Sequence, residues 1–195
     1  IQMSVKVDLS EILAMHAPLD VECLEAMRGS VELLRVPKRK VLLRQGEVCR
    51  HFFFNRSGIT RVVHDNDGLE DTICFGTGGD VFTSLQSYYE GAPSIFSLTA
   101  VTDSEVWILS YEEMDRLSGL YPSLVLWMRN LLLGQVNAFE RRYLFFGKND
   151  AETRYINFIN QRNGLLRNIP VKYVAQYLKI APEYLSRIRR RIAGK

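Results

Sequence analysis

Cysteine is scarce in this 195-residue chain: Cys23, Cys49 and Cys74 are odd in number, far apart and never in a C-x-x-C pair. A disulfide framework is therefore excluded, a reducing, cytoplasmic setting is favoured, and neither a structural zinc nor an iron–sulfur cluster has a ligand set. The three histidines, His16, His51 and His64, stand singly, with no H-x-H or comparable ligand set. A metal-dependent barrel enzyme lacks its ligands, so the reading is not an enzyme, with no metal and no resident cofactor. No apolar run reaches the ~18 residues a membrane helix needs, so no membrane partner is expected. No secretory leader opens the chain, although a start at Ile1 is compatible with a lost native N-terminus.

Acidic residues are missing from one place in particular. Between residue 166 and the end there are eight Lys or Arg and a single acid, Glu183, a net charge of +7; the first 165 residues carry −4, and the whole chain only +3. This asymmetry points the C-terminal end at a polyanion.

Along the chain, residues 8–30 read as two short helices divided by Pro18, with Leu9, Ile12, Leu13, Leu24 and Met27 at helical spacing. Residues 31–110 change period. "VELLRV", "KVLL", "HFFFN", "ITRVVH", "DTICF", "IFSLTAV" and "EVWIL" read as short strands, separated by turns at 46–47, 55–58, 65–68 and 76–80. Several short strands with regular turns predict an antiparallel sandwich or barrel, interrupted only by a turn around "FTSLQSYYEG".

Helical spacing returns after Ser110, which with Glu113 has the form of a capping box. Residues 121–146 read as one long helix with Pro122 in its first turn. Val125, Met128, Leu132, Val136, Phe139, Tyr143 and Phe146 form a single apolar stripe, and Leu124, Trp127, Leu131 and Leu133 are apolar outside it. A helix apolar on two sides needs cover on two sides: its own β-domain on one, and the same helix of a second copy on the other. "GKND" breaks it, and a helix capped by Asp150 follows, with Tyr155, Phe158 and Ile159 inward and Gly164 at its end.

The closing stretch "VKYVAQYLKIAPEYLSRIRRRI" reads as a helix-turn-helix. Val174, Ala175 and Leu178 face inward from the first helix. Pro182 opens the second, and Leu185, Ile188 and Ile192 form its packed side. Lys179 occupies the turn where glycine is usual, a backbone cost of about 1 kcal/mol. Ala181 is a weak cap. Glu183, Ser186, Arg187 and Arg190 project away from the packed side, with Tyr184, Arg189 and Arg191 on the flanks. Such a helix fits the major groove of double-stranded DNA. Arg187 suits guanine O6 and N7, and Glu183 suits cytosine N4. Lys172, Ser186, Arg189, Arg190 and Arg191 suit phosphates.

A β-rich domain, a long apolar helix and a C-terminal helix-turn-helix, in that order, resemble the cyclic-AMP receptor protein / fumarate-nitrate regulator (CRP/FNR) family of bacterial transcription factors. The resemblance covers essentially the whole chain. It is sharpest at "APEYLSRIRRR", where Glu183 and Arg187 fall on the family's base-reading positions, and next at "GDVFTSLQSYYEGAPSIFSLTAV", which is similar to the family's phosphate-binding cassette. It implies an α+β fold: an N-terminal antiparallel β-roll (jelly-roll, cyclic-nucleotide-binding-like) over residues 1–120 with flanking short helices, a linker and dimerisation helix over 121–147, and a DNA-binding helix-turn-helix domain over 148–195 whose wing is short or missing. It also implies a homodimer on a pseudo-palindromic site, and RNA polymerase as a further partner.

The cassette keeps Gly79, Asp80, Phe82, Leu85 and Pro93 but departs where chemistry is concentrated. Ser84 replaces the carboxylate for a ribose hydroxyl, and Ser94 replaces the arginine for a cyclic phosphate. Losing that guanidinium removes a charge-assisted, bidentate contact and argues against cyclic AMP. The candidate effector pocket is then Thr83, Ser84, Leu85, Tyr88, Ser94 and Phe96, lined for a less charged effector of unknown identity or simply filled. The family's iron–sulfur sensor has no matching ligand set here; a haem sensor needs an axial histidine, and His16, His51 and His64 are lone histidines of the kind more often structural or exposed. The alternative from another class is a small-molecule-binding regulatory module that acts on a protein partner, with weak or unspecific DNA binding.

Overall fold

The computed structural model describes residues 6–161 and 168–193. Two short helices come first, α1 (Leu9–Ala14) and α2 (Val21–Ser30), on either side of Pro18 as the sequence predicts. The Asp8 backbone N–H donates to Glu11 at 2.8 Å, holding the entry to α1.

Eight strands follow: β1 (Glu32–Val36), β2 (Val41–Leu43), β3 (His51–Ser57), β4 (Thr60–Asn66), β5 (Leu69–Gly76), β6 (Val81–Phe82), β7 (Ser97–Ala100) and β8 (Ser104–Ser110). They pair antiparallel in two four-stranded sheets, ordered β1-β8-β3-β6 and β2-β7-β4-β5. The long-range orders mark a jelly-roll rather than a meander. The turn expected at 55–58 is shorter than predicted, because Asn55 continues β3 as far as Ser57. Gly58 makes this reversal at φ +86°; a Cβ there would lie 2.2 Å from Ser104 Oγ, so the turn requires glycine.

The Phe52–Phe53–Phe54 run of β3 follows from its position. Phe53 faces the core between the sheets with Val36, Leu43, Val62, Leu98 and Val106. Phe52 and Phe54 face the opposite way, into a second core built with α1, α2 and two later helices. A strand covered on both faces is apolar at successive positions.

The cassette between β6 and β7 contains α3 (Leu85–Glu90), a helix where the sequence reading expected only a turn. Next come α4 (Tyr111–Leu120) and α5 (Pro122–Lys148). Half of the expected capping box forms: Glu113 N–H donates to Ser110 Oγ at 3.1 Å. The Glu113 carboxylate turns instead to Arg116 and Ser30, which holds its pKa down at about 2. Helix α6 (Ala151–Gln161) starts at Asp150, whose carboxylate accepts the Thr153 N–H at 2.8 Å, and it buries Tyr155 and Phe158. Gly164, its expected end, lies outside the described residues. Helices α7 (Val171–Leu178) and α8 (Pro182–Ala193) close the fold. They share a third core with α6 and with Ile59, Phe75 and Val101 of the β-roll.

Candidate functional site

Helices α7 and α8 are separate, and Lys179 makes the break. It takes the left-handed conformation, φ 57° and ψ 47°, the strained state expected for a non-glycine residue in this turn. Its N–H donates to the Gln176 carbonyl and the Ile180 N–H to the Ala175 carbonyl, both at 3.1 Å, closing the end of α7. Val174, Ala175 and Leu178 are buried against Leu185 and Ile188, while Ile180 and Ile192 are half-buried around them. Leu185 and Ile188 are each 1% exposed, so one side of α8 is fully committed to packing.

The other side is open. Glu183, Tyr184, Arg187, Arg189, Arg190 and Arg191 are exposed and Ser186 is half-buried; Lys172 is exposed on α7. The Arg187 guanidinium lies 5.3 Å from the centre of the Tyr184 ring, a stack that holds a flexible side chain near the start of the helix. Ser186 Oγ donates to the Pro182 carbonyl at 3.0 Å. Arg191 differs from its neighbours: it pairs with Glu152 of α6, so one of the predicted phosphate-facing residues also braces α8 internally.

The cassette presents a different chemistry. Ser84 is buried, and its hydroxyl accepts the Ser87 N–H at 3.4 Å at the start of α3; Gly91, at φ 66°, ends the helix. Thr83 Oγ1 lies 3.1 Å from the His51 carbonyl and 2.6 Å from the Tyr111 hydroxyl, which lies 3.1 Å from the Ser84 carbonyl; the two hydroxyl protons are shared among these three contacts. Tyr88 donates to Asp115 of α4. Burial raises the Tyr88 hydroxyl pKa above its ordinary value, and the Asp115 carboxylate adds to the rise. Phe52, Tyr88 and Tyr111 meet edge-on at 4.7–5.4 Å between ring centres. Ser94 is buried and donates to the Phe96 carbonyl at 2.9 Å. Leu85 is exposed and Phe96 half-buried. Five of the six predicted pocket residues thus form two groups, with Leu85 outside both: Thr83, Ser84 and Tyr88 gather around Tyr111, while Ser94 and Phe96 hold their own loop beside the turn at Gly46 and Glu47.

On α5 the two apolar sides are clearly divided. Leu124, Trp127 and Leu131 are buried against the β-roll and α1. Val125, Val136, Phe139 and Tyr143 are 52–73% exposed, Leu133 is exposed, and Met128, Leu132 and Phe146 are half-buried.

Residues 33–119 match the cyclic nucleotide-binding domain family. A comparison with curated protein sequences finds no significant match. Solved structures do match. FixK2 from Bradyrhizobium japonicum superposes with a TM-score of 0.72 at 18% identity, over 84% of this chain and 85% of that one. The c-di-GMP responsive global regulator CLP of Xanthomonas campestris gives 0.73 at 15% identity, over 90% and 92%. The catabolite activator protein of Thermus thermophilus gives 0.59 at 21% identity, over 94% and 87%. The chain has the CRP/FNR fold. Within this fold, among the described residues, no helix is long and apolar enough to cross a membrane, and no three His, Cys, Asp or Glu gather as a metal site.

One set of residues escaped the sequence reading. Arg61 of β4 is 5% exposed, yet it carries a guanidinium that meets α7. Its signal was present as a lone arginine inside "ITRVVH", a run otherwise suited to burial. Asp71, Thr72, Tyr173 and Gln176, which surround it or its neighbours, gave none.

Proposed function

We propose that this protein is a homodimeric, DNA-binding transcriptional regulator that reads a pseudo-palindromic site through α8. The division of labour is residues 1–120 as an effector-type β-roll, 121–147 as the pairing helix and 148–195 as the DNA-reading unit. The observation that carries the reading is the two-sided character of α8: Leu185 and Ile188 buried on one side, Glu183, Arg187, Arg189 and Arg190 free on the other, after a helix closed by a left-handed turn. A solvated helix end would need neither the turn nor the packed partner helix. Arg187 and Glu183 are assigned to base edges. Lys172, Ser186, Arg189, Arg190 and, beside its ion pair, Arg191 are assigned to phosphates, with Tyr184 supporting Arg187.

The α5 stripe, with Val125, Val136, Phe139 and Tyr143 exposed and Met128 and Leu132 half-buried along it, supports pairing with a second copy, which would set two α8 helices into successive major grooves about 34 Å apart. Contact with RNA polymerase rests on the family resemblance. For the cassette, we assign no cyclic-nucleotide phosphate: Ser84 and Ser94 bring no charge to it, and the hydroxyls of Thr83, Ser84 and Ser94 are engaged within the protein.

Selection from a random duplex pool at two salt concentrations tests the DNA reading. The native chain should enrich a palindromic site with steep salt dependence. Arg187→Ala should lose about 1–3 kcal/mol on that site and relax its specificity. Enrichment of no site at either salt would leave the protein-partner module as the better reading.

A further inference from the structure

The outer face of α7 is held as firmly as the face that grips α8. Arg61 Nη1 donates to Thr72 Oγ1 at 3.2 Å and to Gln176 Oε1 at 3.1 Å, and Nη2 donates to Glu70 Oε2 at 2.9 Å. Its planar group lies 3.6 Å from the centre of the Tyr173 ring. Thr72 donates its hydroxyl to the same Gln176 oxygen at 3.0 Å. Glu70, Asp71 and Thr72 belong to β5; Tyr173 and Gln176 belong to α7. Three residues beyond Gln176, the Lys179 ammonium pairs with Asp71. From a third direction Arg142 of α5 stacks over Tyr177 at 4.4 Å and donates to the Thr72 carbonyl at 3.5 Å.

These contacts have a direction that the apolar core beneath them lacks. Phe75, Phe158 and Tyr177 would hold α7 against the β-roll over a range of angles, because hydrophobic contact is non-directional. A guanidinium with fixed donors and a stacked ring holds one angle. Lys179 and Asp71 are both part-exposed, at 47% and 35% of their side chains, so their pair contributes little alone. Arg61 is the buried member and carries the constraint. The Val174, Ala175 and Leu178 side of the same helix grips α8, so whatever fixes α7 also fixes where α8 points.

We infer that Arg61 is a positioning residue for DNA reading: the β4–β5 hairpin pins Tyr173 and Gln176, and through them sets the aim of α8. This rests on the DNA-reading function proposed above. Two readouts test it on the full chain. In Arg61→Met, which keeps an apolar stem and removes the charge, hydrogen exchange of the α7 amides should quicken roughly ten-fold while β3 and β8 stay unchanged. On duplexes carrying the native half-sites at varied separation, the variant should keep its half-site sequence but accept a broader range of separations. Gln176→Leu should reproduce both effects from the α7 side, and the double variant should add little to either single one, since they share one contact. Unchanged α7 exchange and an unchanged separation preference in both variants, or effects that simply add, would overturn the inference. If the native chain enriches no DNA site, the positioning role falls with the DNA reading, while the exchange measurement still reports whether the hairpin pins α7.

Discussion

Trp127 is fully buried, yet its indole N–H donates to the Leu13 carbonyl at 2.7 Å, and three residues on, Asn130 Nδ2 donates to the His16 carbonyl at 2.8 Å. The Leu13 carbonyl lies in the last turn of α1 and the His16 carbonyl just beyond it, where the helical hydrogen-bond ladder runs out. Two residues of α5 therefore complete a helix more than a hundred positions earlier. His16 itself meets the Trp127 ring edge-on at 5.3 Å, and burial pulls its pKa down against an opposing pull from Asp80. His51 is pulled down for the same first reason. In both, the folded chain resists a proton that the unfolded chain accepts. Stability should thus be level above about pH 7 and decline as pH falls below the ordinary imidazole value of about 6.5. Glu113, held at about 2 by Arg116 and Ser30, adds a second loss that sets in as pH falls through the usual glutamate value and continues down to about 2. Denaturant midpoints measured between pH 8 and 5 check the first window. His16→Phe, which keeps a ring against Trp127, should flatten part of that slope; an unaltered slope in the variant would remove His16 from the account.

At the scale of elements, α5 carries the pairing proposed above. Its 27 residues span about 40 Å, and an open apolar stripe runs along it from Val125 to Tyr143, flanked by exposed Leu126, Leu133 and Leu144. Burying a large side chain contributes roughly 1.5–3 kcal/mol, and a two-fold interface counts each one twice. Phe139, 68% exposed toward the C-terminal end of the open stretch, is the sharpest probe. Phe139→Glu should place two carboxylates near the helix pair and convert a dimer to a monomer in sedimentation, with helix content unchanged; a native chain that sediments as a monomer would remove the pairing. The stripe itself was legible in the sequence, because helical spacing sorts residues onto faces. Which stripe would be covered within the chain was not: Leu124, Trp127 and Leu131 are no more apolar than Val125, Val136 and Phe139, and only the placement of α1 and β3 distinguishes them. The α7–α8 pair was legible for the same reason of spacing, including the cost at Lys179. Its partner Asp71 was not, since an ion pair between residues so far apart leaves no periodic trace. Helix α3 was missed because six residues are too short for a helical period to register.

For the molecule as a whole, the three cores share elements: β3 contributes to two of them, and Phe75 of β5 anchors the third. Displacement at the cassette would therefore be felt along a route of packed and bonded groups. Tyr88 and Asp115 join α3 to α4, Thr83 and Tyr111 join the cassette to the start of α4, and α4 packs on α5. These ties are made between side chains of the protein itself. On the register that the family resemblance implies, Ser94 stands at the arginine position, so a cyclic phosphate placed there would lack a guanidinium. A ligand at 100 times its Kd stabilises by about 2.7 kcal/mol, which in a chain of this size raises Tm by roughly 5–10 °C. Millimolar cyclic AMP should instead move Tm by less than about 1 °C on that scale, whereas a duplex carrying the selected site should raise it clearly. A rise of several degrees with cyclic AMP would mean that Thr83, Ser84 and Ser94 exchange their internal partners for the ligand. The network around Tyr111 would then be the resting half of a switch rather than a substitute for one.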